Sequence, residues 1–215
     1  MEQEWMPFII SIKTALTATM ITFFLGIFAA NKINKINPKH KGILDSLFTL
    51  PMVLPPTVIG FFLLVILGRN GFIGKLLYSI GINVIFSWGA TVIAAVVVSF
   101  PLMYSTAKGA FEQIDKNILN AAQTMGVSNF KIFWKIMIPL AWPGIAAGTI
   151  LSFARALGEF GATLMIAGNI PGKTQTIPLA IYFAAEGGDI QGALTWVYTI
   201  FGRSLFTMIM MNFWN

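Results

Sequence analysis

The sequence predicts an all-α integral membrane protein with five transmembrane helices, or six if one short apolar stretch also crosses. Three observations predict this class. Of the 215 residues, 56% are hydrophobic and only 10% are charged, whereas a soluble domain carries roughly 25% charged residues. The apolar residues gather into runs close to the ~20 residues that cross a bilayer as helix. The lysines cluster between those runs, as positively charged loops do in membrane proteins.

Composition also excludes. No polar segment is long enough for a separate soluble domain, so residues 1–215 read as one domain. The chain has no cysteine, which removes disulfides, thiolate metal sites and cysteine nucleophiles. Its single histidine, His40, sits in a lysine-rich loop and reads as a solvated side chain, so no metal site is expected. The formal charge of +6 would suggest nucleic acid in a soluble protein. Here it reads as topology, and no nucleic-acid partner is expected.

The first span is expected over 8–30. The N-terminus before it is acidic, with Glu2 and Glu4. A secretory signal has a basic start and an apolar core of about 7–15 residues. This run is longer, so it reads as a retained span, with Lys13 snorkelling to the interface.

The second span is expected over 43–67 and carries Pro51, Pro55 and Pro56 in "LPMVLPPTVIG". Proline removes a backbone donor and clashes with the preceding turn. In lipid, the freed carbonyls need partners in protein or in a water-filled cavity. The reading is a distorted helix that either lines a pathway or kinks for packing alone.

The third span is expected over 88–107, the fourth over 132–153 and the fifth over 192–212. The apolar stretch 158–168 is too short to span and reads as a half-helix or re-entrant piece. In the fourth span, Gly144 and Gly148 form G-x-x-x-G, which permits close helix packing within or between subunits.

Lysine placement orients the chain. The first loop holds Lys32, Lys35, Lys39 and Lys41. The loop after the third span holds Lys108, Lys116, Lys131 and Lys135. The opposite side holds only Arg69, Lys75, Arg155 and Lys173. Five spans then place the N-terminus outside and both lysine-rich loops in the cytoplasm of a multi-pass plasma-membrane protein.

Between the third and fourth spans, Asp115 is placed to cap a helix over 117–125. Ile118, Ala121, Ala122 and Met125 share one face by spacing. Gly126 stops the helix, and Ser128 or Asn129 caps the next. Such a helix either docks into a groove on another protein or lies passively among headgroups.

The order Asn120-Ala121-Ala122-Gln123-Thr124-Met125-Gly126, followed by Ile138-Pro139-Leu140, resembles the EAA loop of ABC-importer permeases. Asn120 stands where that loop has Glu and removes its charge, and Ile138 stands for Leu. The resemblance implies the type I importer permease fold and a cytoplasmic coupling helix over 115–127. It implies that Asn120, Ala121, Ala122, Gln123, Met125 and Gly126 dock an ATPase subunit. "LPMVLPPTVIGFFLLVILGRNGFIG" and "FARALGEFGATLMIAGNIPGKTQTIPLAIY" resemble the corresponding segments of molybdate permeases, with sulfate permeases as the close alternative.

That resemblance implies the transmembrane subunit of a molybdate importer that also passes tungstate. It implies a homodimer, two cytoplasmic ATPase subunits, an external oxyanion-binding protein and a surround of membrane lipid. The chain itself would bind no cofactor, and ATP and Mg would be used by the ATPase partner. Pro55, Pro56, Thr57, Arg155, Glu159, Gly161 and Thr163 are the candidates for the pathway or gate.

Two further patterns are weighed. "AGNIPGKT" satisfies a relaxed P-loop, but a P-loop follows a strand and opens a helix, and here an apolar helical run precedes it. Arg155 and Glu159, four apart, can pair on a helix face. The pair either attracts an anion or stabilises a helix end. An enzyme reading fails because the spans hold no His, no Cys and no paired Asp. A passive channel has no need of a docking helix.

Overall fold

The computed structural model describes residues 2–33 and 36–213, and helix is the only regular structure among them. In order these are α1 (Glu2–Ile33), α2 (Pro38–Val53), α3 (Pro56–Leu67), α4 (Phe72–Ser79), α5 (Trp88–Glu112), α6 (Lys116–Thr124) and α7 (Asn129–Ile132). A π-helical turn, Phe133–Met137, joins α7 to α8 (Ile138–Leu157). Then come α9 (Gly161–Ala167), α10 (Ile177–Glu186) and α11 (Ile190–Phe213).

Among the described residues, three stretches are long and apolar enough to cross a membrane: Trp5–Ile33, Trp88–Glu112 and Asn129–Leu157. They contain the first, third and fourth expected spans. The expected second span is not one distorted helix. It is α2 and α3, bent against each other by 113°. The cause is local: Pro55 and Pro56 supply no N–H, and Pro55 takes extended backbone (φ −55°, ψ 136°). The fifth expected span falls on α11, which is 24 residues long. The stretch 158–168 yields only the seven-residue α9. At a rise of 1.5 Å per residue, α9 is about 10 Å long and cannot cross. Sequence reading did not anticipate α4 or α10.

The centre of the bundle is α5, which packs most extensively on α1 and α8. Small residues make this close approach possible. A β-carbon on Gly144 would lie 2.6 Å from Ala110 Cβ, and one on Gly148 would lie 3.0 Å from Thr106 Cβ. The G-x-x-x-G therefore serves packing of α8 on α5 within this chain. Several buried hydroxyls find partners, as apolar surroundings require. Thr14 and Thr91 share a 3.0 Å hydrogen bond, Trp88 Nε1 donates to Thr14 at 3.0 Å, and Ser99 donates to the Ala95 carbonyl at 2.6 Å. Lys13 stands 4.3 Å over the Trp88 ring, a cation–π contact.

Long-range polar contacts define the two ends. At one end, Lys41 pairs with Glu112 at 2.9 Å, and Asp45 pairs with Lys108. At the other, Ser11 accepts from the Ile177 amide at 2.8 Å, and the Phe86 amide donates to the Ile166 carbonyl at 3.0 Å. The ion pairs at the first end join the start of α2 to the end of α5. The lysine-rich loops flanking these segments therefore share one end, as their charge predicts.

In the first turns of α8, Pro139 and Pro143 leave carbonyls of the preceding turn without their usual donors. The π-helical turn Phe133–Met137 sits directly upstream of them. Such turns concentrate where a helix is locally adjusted, often at functional sites.

Candidate functional site

Two places stand out: the junction where α3 meets α9, and the short helix α6 at the opposite end.

At the junction, α3 begins at the proline pair and lies along α9. The approach is close because both helices present glycine. A β-carbon on Gly161 would lie 3.1 Å from Pro56 Cβ and 3.3 Å from Thr57 Cγ2, and one on Gly60 would lie 2.8 Å from Ala162 Cα. Thus Pro56, Thr57 and Gly161 are brought together. Pro55 and Thr57 are exposed and Pro56 is half-buried. Thr163 is only 1% exposed and belongs to the packing of α9.

Arg155 and Glu159 form the predicted pair across the end of α8, with Nη1 2.9 Å from Oε2. The Glu159 side chain is 1% exposed and that of Arg155 is 32% exposed. One carboxylate oxygen, Oε1, accepts from the Ala162 amide at 2.8 Å. The other, Oε2, pairs with Arg155 Nη1 at 2.9 Å. So Glu159 ties the start of α9 to the last turn of α8 while keeping one oxygen for Arg155.

The loop with the P-loop-like pattern closes on itself. Thr174 Oγ1 donates to the Gly168 carbonyl at 3.1 Å and accepts from the Ile170 amide at 3.0 Å. The amides of Lys173, Thr174 and Gln175 all donate to the Ile170 carbonyl. Those amides are used within the loop, and a helix precedes it. It is no phosphate cradle.

At the other end, α6 is framed as its sequence predicts. Asp115 Oδ1 accepts from the Asn117 amide at 2.8 Å. Gly126 takes φ +76°, a left-handed position that glycine occupies without strain. The Val127 amide donates to the Ala122 carbonyl at 3.1 Å and the Gly126 amide to Gln123 at 2.9 Å, a Schellman closure. Among the expected docking residues, Asn120, Ala121, Gln123, Met125 and Gly126 are exposed. Ala122 is not: it is buried at 7%, turned toward the bundle. Ile118 and Met125 share its spacing, yet they are 45% and 82% exposed. The outward surface of α6 is therefore rotated from the face the spacing suggested. Beyond it, Phe130 and Trp134 are also exposed. Ser128 occupies the cap position of α7 without a side-chain hydrogen bond.

One cluster escaped sequence reading. Asp45 accepts from both the Tyr104 hydroxyl and Lys108. Tyr104 is almost fully buried, and its ring packs edge-on against Phe48 of α2 at 5.1 Å. The available signal was an Asp inside an apolar segment, which demands a partner.

Residues 22–214 match the model of the family described as binding-protein-dependent transport system inner membrane component. The chain belongs to this family. Among its relatives, the Escherichia coli (strain K12) molybdenum transport system permease protein ModB is 43% identical over 93% of this chain and 88% of its own length. The Bacillus subtilis protein YvgM, provisionally named as a molybdenum transport system permease protein, is 49% identical over 90% of this chain and 86% of its own. A Chlorokybus atmophyticus protein named as a probable sulfate transport system permease protein is 35% identical over 96% of this chain and 72% of its own. As a member of this permease family, the chain is a multi-pass membrane protein. Its apolar helices are the spans, and its relatives are transport permeases.

Proposed function

We propose that this permease is the transmembrane subunit of an ATP-driven importer that moves molybdate, and tungstate with it, into the cytoplasm by alternating access. The observation that carries the substrate is the gradient of similarity. Relatives named for molybdenum range from 39% to 49% identity, and a relative named for sulfate stands at 35%. Molybdate and tungstate are tetrahedral dianions of similar size, so a weakly polar route separates them poorly.

The working assembly is two copies of this chain, two cytoplasmic ATPase subunits and an external oxyanion-binding protein. ATP and Mg belong to the ATPase partners, and this chain needs no cofactor of its own. A dianion pays heavily to enter hydrocarbon unaided, and a pathway charged strongly enough to select it would hold it. Selection therefore sits on the binding protein.

In this reading α6 is the coupling helix, docked through Asn120, Ala121, Gln123, Met125 and Gly126, with Ala122 anchoring it to the bundle. Its exposed apolar side chains and its place at the lysine-rich end support this role. The N-terminus is outside and α6 is in the cytoplasm. The junction of Pro55, Pro56, Thr57, Gly161 and the Arg155–Glu159 pair supplies the pathway or gate, with Thr163 packed behind it. A broken helix is tolerated at membrane depth where it meets protein or a water-filled cavity, and this one meets α9.

The test is uptake by the complete transporter reconstituted in liposomes. Labelled molybdate should accumulate only with ATP and binding protein, and a hundredfold excess of tungstate should suppress it. Suppression by sulfate and not by tungstate would replace the substrate assignment with sulfate.

A further inference from the structure

Between Asp45 and Glu112 the sequence holds no acidic residue, yet this stretch places Arg69 and Lys75 around the short helix α4. A tight turn sets that helix. A β-carbon on Gly74 would overlap the Gly68 carbonyl oxygen, and one on Gly71 would overlap that of Val65. So α4 starts hard against the last turn of α3, with Gly74 buried there. At about 100° per residue, the rest of its surface divides in two. Phe72, Leu76, Ile80 and Ile73 follow one another around an arc and are 92%, 67%, 65% and 41% exposed. Lys75 and Ser79 form the adjoining edge, both exposed. Arg69 stands beside that edge, 4.7 Å over the Tyr78 ring. Asn70, Phe72, Lys75, Leu76 and Ser79 line an open cleft of about 630 Å³, where the polar edge meets the apolar arc.

Large apolar side chains gathered on one exposed face mark an interaction surface. Two features choose its occupant. The arc continues the apolar exterior of α3, where Phe61, Phe62 and Val65 are exposed, so both belong to one hydrocarbon-facing surface. The adjoining edge is cationic, and the ion pairs among the described residues use Lys41, Lys108 and Arg155 rather than Arg69 or Lys75. An apolar arc beside uncompensated positive charge complements acyl chains beside lipid phosphate.

We infer that α4 is a membrane-surface anchor: the Phe72–Leu76–Ile80 arc lies among acyl chains, and Lys75 and Arg69 contact phosphates of anionic phospholipid. Ser79 already donates its hydroxyl to the Leu76 carbonyl at 2.8 Å, so the further donor in the cleft is the Asn70 carboxamide. The glycine turn joins α4 closely to α3, so the anchor also sets how deep that end of α3 sits. This inference rests on the chain's place in a membrane family and is independent of which ion is transported.

The chain has no cysteine, so a single introduced thiol carries a single fluorophore. Leu76→Cys and Ser79→Cys are each labelled with an environment-sensitive dye before assembly. The complete transporter is then reconstituted in liposomes of phosphatidylethanolamine and phosphatidylglycerol. A nitroxide on the lipid acyl chain should quench the label at 76 at least twice as strongly as the label at 79, and aqueous iodide should show the reverse order. Lys75→Gln, or replacement of phosphatidylglycerol by phosphatidylcholine, should weaken acyl-chain quenching at 76 by at least a third, whereas Lys75→Arg should preserve it. Equal iodide quenching at the two sites would overturn the inference. So would a label at 76 shielded from both quenchers, as a second copy of the chain would shield it. Shielding that appears only when loaded binding protein is added would assign the arc to that protein instead. Quenching indifferent to both Lys75→Gln and lipid charge would overturn the phosphate contact.

Discussion

Gly161 meets Pro56 so closely that a β-carbon added to the glycine would lie 3.1 Å from the proline's Cβ. The contact joins the first turn of α9 to the first turn of α3, directly after the 113° bend. No side chain larger than hydrogen fits without the proline or Thr57 giving way. Gly161→Leu should therefore push the two helix starts apart. Overpacking of this kind costs about 1–3 kcal/mol. The expected result is a lower melting temperature of the detergent-extracted protein, with uptake reduced more than tenfold. Unchanged melting and uptake would show that the junction matters to neither fold nor transport.

The α5–α8 seam gives a second prediction. Gly144→Ala places a methyl 2.6 Å from Ala110 Cβ, and the seam must open to accept it. A loss of about 1–3 kcal/mol is expected, and Ala110→Gly in the same chain should recover at least half of it. Thermal unfolding of the single and double variants measures the coupling. Additive losses would mean that the two residues do not share this contact.

The cluster around Asp45 predicts an asymmetry between neighbouring ion pairs. Asp45 accepts from Tyr104 and from Lys108 and is only partly exposed. Asp45→Ala leaves two donors without their acceptor, and such a loss costs about 1–3 kcal/mol. Glu112, paired with Lys41, is 45% exposed, and exposed pairs contribute about 0–1 kcal/mol. Glu112→Ala should therefore change stability much less than Asp45→Ala, as read by thermal unfolding at one ionic strength. Equal losses would contradict the ranking.

Much of this was readable from local sequence, because the causes are local. Asp115 and Gly126 frame α6 through a side-chain cap and a left-handed turn, both of which act within a few residues. The prolines at 51, 55 and 56 announced a disturbed span, but not the 113° angle of the break. The Asp45–Tyr104–Lys108 cluster was invisible to periodicity because its members lie 59 and 63 residues apart. Two helices were missed for different reasons. Phe72–Ser79 is only eight residues long. Ile177–Glu186 lies in a stretch given no helix, although Pro178 in its first turn is a helix-start signal. The spacing of Ile118, Ala121, Ala122 and Met125 identified a helix but not which side faces the bundle. Of these four only Ala122 is buried, and the α6 side chain that packs on the core is Leu119.

That last point decides where to probe the coupling role. The absence of cysteine allows a single thiol to be placed anywhere. A thiol at Ala122 would be shielded, whereas Met125 is 82% exposed at the end of the same helix. Met125→Cys should leave the fold intact. The most direct measurement is short-range cross-linking from that thiol in native membranes, with and without ATP, followed by identification of the captured protein. Capture of an ATP-binding-cassette subunit is predicted, with a yield that ATP changes at least twofold. Labelling of the introduced thiol by membrane-impermeant reagent from the external face, or capture of lipid and self alone, would contradict both the orientation and the coupling role of α6.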